Sequence, residues 1–368
     1  MGHAKTPIYL LACLLLQVLG APVAVADPQT SSSIYRSAYF LGRGDTGIAS
    51  ADDEDAIFYN PAGIAQGTGI YKRTVLASPM IEVSKNTRDI VTQASNSSSS
   101  NAVDTVKESI GKPAHIGVSN FSGLILRRAA IGVVATSHAD LLAFNDPKAG
   151  GLEAVHVSAD ETVGLTFTVA DKLFSDHFLV GVTAKYLQRG RGDINASAAD
   201  ADTLKDRLKD KSNFIATGTG MGADLGMMFR GGGRINPSFG LTVNDVGDTH
   251  VRPAKATTLD LGLKQTINAG VSIEPGTKFS HIKLLFDYHD IASAAIKDPR
   301  QKSHIGAELS VLDTVGVTAG VNEGYPTAGL YADVYFVRLD LGMYTEEVGD
   351  RVGTRPDQRY MLRLRMGF

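Results

Sequence analysis

The sequence predicts an all-β protein, a transmembrane antiparallel up-and-down β-barrel of about 14 strands. Three observations lead there. The last stretch, Arg359 to Phe368, alternates Tyr360, Leu362, Leu364, Met366 and Phe368 with Met361, Arg363, Arg365 and Gly367. That period of two puts apolar groups on one strand face and arginines on the other. The same alternation recurs along most of the chain, without a helical layer to cover the apolar faces. The links between the alternating runs are by turns short and long, as in hairpins with tight turns on one side of a membrane and larger loops on the other.

Met1 to Ala26 opens with Lys5, continues with an apolar run from Ile8 to Leu19 and ends in Ala24-Val25-Ala26. This reads as a secretory signal peptide over 1–26. The only cysteine, Cys13, falls within it, so no disulfide or thiol chemistry is expected in the exported chain. Leu10-Leu11-Ala12-Cys13 has the form of a lipid-attachment box, but the apolar run is too short before it and too long after it. No other segment offers the roughly 18 consecutive apolar residues of a spanning helix. A net charge of −3 with 20% charged residues argues against a nucleic-acid surface. Trp is absent, which leaves 12 Tyr and 14 Phe to supply interfacial aromatics.

Residues 27–65 are Gly-rich and acidic and match neither a long helix nor a regular strand. Their order is Gly42, Gly44 and Gly47, then Ala51-Asp52-Asp53, then Phe58-Tyr59-Asn60-Pro61-Ala62-Gly63. This arrangement resembles the opening of the FadL-type superfamily of outer-membrane proteins, which includes fatty-acid and aromatic-hydrocarbon channels as well as PorV-like and TraF-like conjugal-transfer-annotated branches. The resemblance implies that 27–65 is a hatch in the lumen, with Gly42, Gly44, Gly47, Asp52, Asp53, Phe58, Tyr59, Asn60, Pro61 and Ala62 as its marker residues, and that 66–368 is the barrel.

Strands are expected at 71–83, 114–126, 129–138, 152–170, 176–188, 213–230, 234–243, 257–273, 279–288, 302–311, 314–321, 326–333, 335–346 and 358–368. The count is even, which puts both ends on the periplasmic side. Asn120 to Gly123 interrupts the alternation of the second strand and suggests a kink or bulge there. The links Lys85–Lys112, with a helical pattern near Val103 to Ile110, and Gly190–Ser212, with a helix at Ala198–Leu208, are hydrophilic, and neither is expected to hold a buried core.

Parity assigns the faces. Phe178, Val180, Val182, Ala184 and Tyr186, Leu259, Leu261 and Leu263, Ile282, Leu284, Phe286 and Tyr288, Ile305, Leu309 and Val311, and Val337, Leu339, Leu341 and Met343 are expected to meet lipid. The opposite face carries Lys185, Asp224, Arg230, Asp260, Lys264, Lys283, Asp287, Glu308, Arg338, Asp340, Arg363 and Arg365, expected to line the lumen. Two uses are open to this mixed-sign set: a network that pairs across the lumen and fixes the hatch, or the lining of a permeation path.

Other motifs point to no chemistry. Arg43-Gly44-Asp45 belongs to the Gly-rich pattern, and Arg191-Gly192-Asp193 reads as a turn. Asp52 to Asp55 lack the ligand spacing of a calcium loop. His281, His289 and His304 come near one another if strands nine and ten pair, but lone histidines on a polar face are more often hydrogen-bonded packing, so no metal or other cofactor is expected. Gly218, Gly220 and Gly222 precede no helix, and a Gly-x-Ser-x-Gly elbow is missing, so no enzyme is expected.

The expected location is the bacterial outer membrane, and the expected partners are its lipid and the barrel-assembly machinery, reached through the last strand and Phe368. The expected function is passage of a small solute, hydrophobic in the channels that the segment resembles. The alternative is a non-transporting PorV/TraF-like barrel that anchors a secretion, surface or conjugal-transfer assembly through an unnamed protein partner.

Overall fold

The computed structural model describes residues 33–66, 71–96, 102–146, 152–174, 176–197, 214–277 and 279–368. The expected signal peptide 1–26, the chain up to residue 32 and the expected helix at Ala198–Leu208 lie outside them. Among the described residues the strands are β1 (Tyr71–Ala77), β2 (Met80–Ser84), β3 (Ala114–Leu126), β4 (Ala129–Asp146), β5 (Leu152–Lys172), β6 (Phe178–Ser197), β7 (Ala216–Arg230), β8 (Ser238–Asn244), β9 (Val251–Pro253), β10 (Thr266–Ile273), β11 (Ser280–Tyr288), β12 (Ser303–Val311), β13 (Val315–Asn322), β14 (Tyr325–Val334), β15 (Val337–Glu347) and β16 (Pro356–Gly367). Among the described residues four short helices accompany them: α1 (Ala38–Gly42), α2 (Ala56–Tyr59), α3 (Thr87–Asn96) and α4 (Ala102–Ser109).

Each long strand pairs antiparallel with its neighbours in sequence, and β16 closes the sheet on β1 and β2. Thr74 and Phe368 exchange backbone hydrogen bonds of 2.7 and 3.0 Å at the seam. Since β1 and β2 are halves of one stave and β9 is a short flap on β7, the barrel is a closed ring of 14 staves.

The expected faces appear where the strands cross the barrel wall. Val163, Phe167, Leu225, Phe239, Ile282, Leu284, Ile305 and Leu362 are outward and 42–53% exposed. Such a continuous apolar exterior fits lipid, not water. Phe174, Phe279, Tyr335 and Phe336 stand exposed at or beside the short turns of one rim, where interfacial aromatics belong. An arginine at Leu284 would therefore meet hydrocarbon and cost about 2–4 kcal/mol near the midplane. We expect Leu284→Arg to lower the urea midpoint of the barrel in lipid vesicles, and an unchanged midpoint would place that face elsewhere.

Four expectations are corrected. The first strand is not continuous over 71–83, and the interruption expected in the second strand lies opposite it, in the first. Pro79 has no N–H for the ladder, and one extra residue separates the Val75↔Gly123 and Met80↔Ser119 pairs. Side chains of β3 bridge the gap: Asn120 Oδ1 accepts from the Ser78 N–H at 3.0 Å, and Ser122 Oγ donates to the Leu76 carbonyl at 2.8 Å.

The eighth expected strand starts at Thr266, not at 257. Its first half is an outer loop in which Leu261 and Leu263 are buried, at 2% and 5%, instead of facing lipid. The loop has its own hydrogen bonds, with Thr249 and Leu263 paired through their backbones and Asp260 Oδ1 accepting from the Gly262 N–H.

Strands β4 to β6 run on past the expected 138, 170 and 188, so Arg191-Gly192-Asp193 is strand and not turn. Their outer ends enclose a small apolar core of Val155, Val157, Ala159, Ala196, Phe214 and Ile215, with Val106 of α4 packed against it. The two long links, expected to hold no core, contribute to it Ala196 and the partly buried Ile194 and Val106, the first two turned to one side by continued pairing of β5 with β6. The helix expected near Val103 is α4, and α3 is a second helix in the same link.

Candidate functional site

The candidate site is the barrel interior. Residues 34–66 pack there as α1, α2 and a 3₁₀ turn at Pro61–Ala65, elements too short to be stable in isolation. The wall supplies the stability. Tyr35, Ile57, Phe58 and Ile64 join Val75, Phe121, Ile125, Val134 and Leu179 of the wall in one buried cluster. Phe58 lies 4.8 Å from the Tyr35 ring and meets Phe121 edge-on at 5.7 Å.

On the other side the wall is glycine where the segment touches it. A Cβ on Gly181 would fall 2.4 Å from the Pro61 carbonyl carbon, one on Gly226 2.2 Å from Asn60 Oδ1, and one on Gly240 2.1 Å from the Ile48 oxygen. On Gly306 and Gly320 it would meet the Arg43 backbone at 2.4 and 2.7 Å. These glycines are opposite one another in the ladder as Gly181↔Gly226, Gly240↔Gly270 and Gly306↔Gly320. The segment brings glycines of its own: Gly42 faces Gly329, Gly44 adopts φ +79°, and Gly47 lies under the Tyr59 ring.

Polar contacts fix the register. Arg43, 1% exposed, donates from Nη1 to Glu308 Oε2 and to Tyr39 Oη, both at 2.8 Å, from Nη2 to Ser50 Oγ at 2.8 Å and from Nε to the Thr46 carbonyl at 2.9 Å. Asp287 accepts from the N–H groups of Gly47 and Ile48 at 2.7 and 2.9 Å. Asn60 Nδ2 donates to the carbonyls of Ile48 and Met227, at 2.7 and 3.0 Å, while its Oδ1 accepts from the Ala62 N–H at 3.1 Å. Arg363, fully buried, contacts Asp55 at 2.9 Å, Asp340 at 3.1 Å and Glu54 at 3.2 Å. Arg365 holds Glu54 at 3.0 Å and Asp333 at 2.6 Å. Asp52 is exposed and Asp53 half-buried beside this cluster.

Of the residues expected to line the lumen, Lys185 and Asp224 pair at 2.7 Å, with Asp245 2.8 Å from the same ammonium. Arg230 pairs with Glu274 at 2.9 Å and also reaches Gln66. Arg338 contacts Asp340 at 2.8 Å and lies over the Tyr39 and Tyr331 rings. Lys283 shares the inward parity of Leu285 and Asp287. Two residues are elsewhere. Asp260 and Lys264 belong to the outer loop and are exposed, with Lys264 3.3 Å from Asp248. Their alternation with leucines imitates a strand, but the loop satisfies its own backbone before β10 begins.

Two cavities lie beside the segment among the described residues. The first, about 110 Å³, is bounded by apolar Ile34, Tyr35, Met80 and Leu263 and by Glu82, His115, Asp140, Asp160, Arg189 and Arg359. These charges neutralise one another: Arg189 pairs with Asp160 at 2.5 Å, and Arg359 with Glu82 and Glu346 at 3.3 Å. Met80 and Ser119 bring the cavity to the interruption between β1 and β2.

The second cavity, about 100 Å³, includes Arg36, Asp45, His289, Asp290, His304, Glu323, Glu346 and Glu347. Burial and the neighbouring Glu346 push the Glu323 carboxyl, in the turn after β13, up to about 8. His289 and His304 stack with ring centroids 3.9 Å apart, whereas His281 is at the other end of β11, 3.9 Å from Asp313. The pairing of β11 with β12 places Asp287 opposite His304 and brings two of the three histidines together. The sequence assigns Arg43 and Asp45 to the Gly-rich pattern and to no chemistry of their own. Their one signal was a position inside the Gly-rich pattern.

No protein-family model matches the sequence, and no curated protein matches it. In three dimensions the chain is similar to the TodX deltaS2S3 mutant monoaromatic hydrocarbon channel, with 9% identity and a TM-score of 0.52 over 90% of this chain and 99% of that one. It is similar also to the CymD monoaromatic hydrocarbon channel, with 11% identity and a TM-score of 0.50 over 89% and 96% of the two chains. The barrel has the fold of these channels. At such identities the likeness is one of fold, and it extends over nearly the whole length of both.

Proposed function

We propose that the chain is a FadL-like outer-membrane barrel that passes a small solute, with residues 34–66 as the hatch that closes the lumen. The observation that carries this reading is the fit of that segment. It enters along a band of wall glycines and is held by Arg43, Asp287 and Arg363, yet leaves a mixed apolar and polar cavity beside the interrupted first stave. The monoaromatic hydrocarbons named for the neighbours set the size class of the solute, and Ile34, Tyr35, Met80 and Leu263 supply an apolar surface for it. Because the surrounding charges are paired, the cavity has no strong preference for an ion of either sign. The solute would leave beside Ser78 and Pro79, where side chains replace the ladder. Assembly would proceed through β16, with the outward Phe368 read by the barrel-assembly machinery.

A second reading keeps the hatch shut. The extensive pairing between segment and wall also suits a sealed barrel of the PorV or TraF-like kind that anchors a protein assembly. Vesicle uptake separates the two. Proteoliposomes with the folded protein should take up toluene-sized solutes faster than empty vesicles while excluding sugars and salts. Uptake equal to empty vesicles would sink the transport reading and favour the anchor.

A further inference from the structure

The second cavity holds donor groups that neither the barrel nor passage of a solute requires. Asp45, His289 and His304 each offer a ring nitrogen or carboxylate oxygen, all within 4.8 Å of one another. His304 is 2% exposed and its Nδ1 is 2.9 Å from the Gly44 carbonyl, which can only accept, so Nδ1 carries the proton. The lone pair of the neutral ring is then on Nε2, which is buried beside the Asn322 side chain and makes no hydrogen bond of good geometry among the described residues. The Nε2 of His289 is buried and unpartnered in the same sense. So is Oδ1 of Asn322, on the strand beside β12. Buried polar atoms without partners are rare and call for a reason.

The other carboxylates of the cavity are engaged. Asp290 accepts from the N–H groups of Ala294, Ala295 and Ile296, Glu347 from those of Gly349, Gly353, Thr354 and Arg355, and Glu346 pairs with Arg36 and Arg359. Asp45 differs. Its Oδ1 accepts from the Tyr59 hydroxyl at 2.5 Å, while its Oδ2 is 4.0 Å from the Arg36 guanidinium, beyond hydrogen-bond reach. A carbonyl that fixes the imidazole tautomer and a hydroxyl that orients the carboxylate are the outer contacts expected around metal ligands.

We propose that Asp45, His289 and His304 bind one divalent transition-metal ion of the zinc type and so latch the N-terminal segment to the wall at β12. Two imidazoles and a carboxylate suit zinc or its neighbours and not calcium or magnesium, which prefer all-oxygen sets. Three protein ligands leave a further position toward Asn322 or the cavity. The latch joins parts of the chain far apart in sequence, so the ion would select the state in which the segment is docked. This inference does not depend on which solute passes, or on whether any does.

The test uses untagged, refolded protein in detergent, stripped with chelator and titrated calorimetrically with zinc chloride. One ion should bind per chain. His304→Gln and Asp45→Asn should weaken binding about tenfold or more, and His281→Gln, at the far end of β11, should not. Cobalt(II) in place of zinc should give the intense visible absorption of a tetrahedral site, abolished by His304→Gln. Zinc should also protect the Arg36–Arg43 region from trypsin, and chelator should reverse this. Absence of binding would overturn the inference, as would equal binding in wild type, His304→Gln and Asp45→Asn. If His304→Gln does not fold, Asp45→Asn and the cobalt spectrum of the wild type decide by the same criteria.

Discussion

Gly240→Leu should turn a silent barrel into a leaking one. The wall at Gly240 touches the segment backbone itself, with the Ile48 oxygen 2.1 Å and its carbonyl carbon 2.6 Å from where a Cβ would be. Backbone cannot turn aside as the end of a side chain can, and overpacking of this kind costs about 1–3 kcal/mol or more. The barrel strands are tied by their ladder and the segment by side chains, so the segment is the part that yields. In planar bilayers the intact protein should pass almost no current and Gly240→Leu should show steady conductance, with barrel melting little changed. Gly232→Ala is the control, since its nearest neighbour is the His177 ring at 3.8 Å. Equal silence in both variants would show that the segment does not close the lumen.

Arg363→Met should cost the folded protein about 3–5 kcal/mol, the range for removing one partner of a buried charge cluster. The guanidinium is fully buried, touches Glu54, Asp55 and Asp340, and also donates to Ser37 Oγ at 2.5 Å. Methionine fills much of the volume but leaves Asp55 without its counter-charge and Asp340 with Arg338 alone. We expect a large fall in the temperature at which the barrel loses its folded mobility on gels, and rapid proteolysis of residues 34–66. Adding Asp55→Asn should restore part of the loss, because one uncompensated carboxylate is removed. Arg300→Met, where an exposed outer-loop arginine pairs with Asp298, should change neither. If Arg363→Met melts like wild type, the cluster does not hold the segment.

The wall was legible because it is a local code. Ile282, Leu284 and Phe286 alternate with Lys283, Leu285 and Asp287, and a strand has only two sides, so parity assigned each to lipid or lumen. The same code misled at Asp260 and Lys264, where Leu259, Leu261 and Leu263 alternate just as well. Alternation shows which way side chains would point in a strand, and it is silent on whether the backbone there finds a partner strand. The β1/β2 break has a signal, Pro79, whereas the alternation falters at Asn120 to Gly123, where the Asn120 and Ser122 side chains bridge the break and β3 itself is unbroken.

The sequence by itself determined the barrel: strand number, antiparallel order and, outside the loop that holds Leu259, Leu261 and Leu263, which residues meet lipid. Those properties follow from period-two alternation and the lengths of adjacent links. Only the tertiary structure decided what fills the lumen. Arg43 meets Glu308, Arg363 meets Asp55, and Asp45 comes beside His289 and His304 across more than two hundred residues of chain. The contacts of the N-terminal segment depend on ring closure and on the register of six or more strands at once, which no local pattern encodes. The wall glycines show the same limit, for each is unremarked in its own strand and acquires a reason only when the segment lies against all of them.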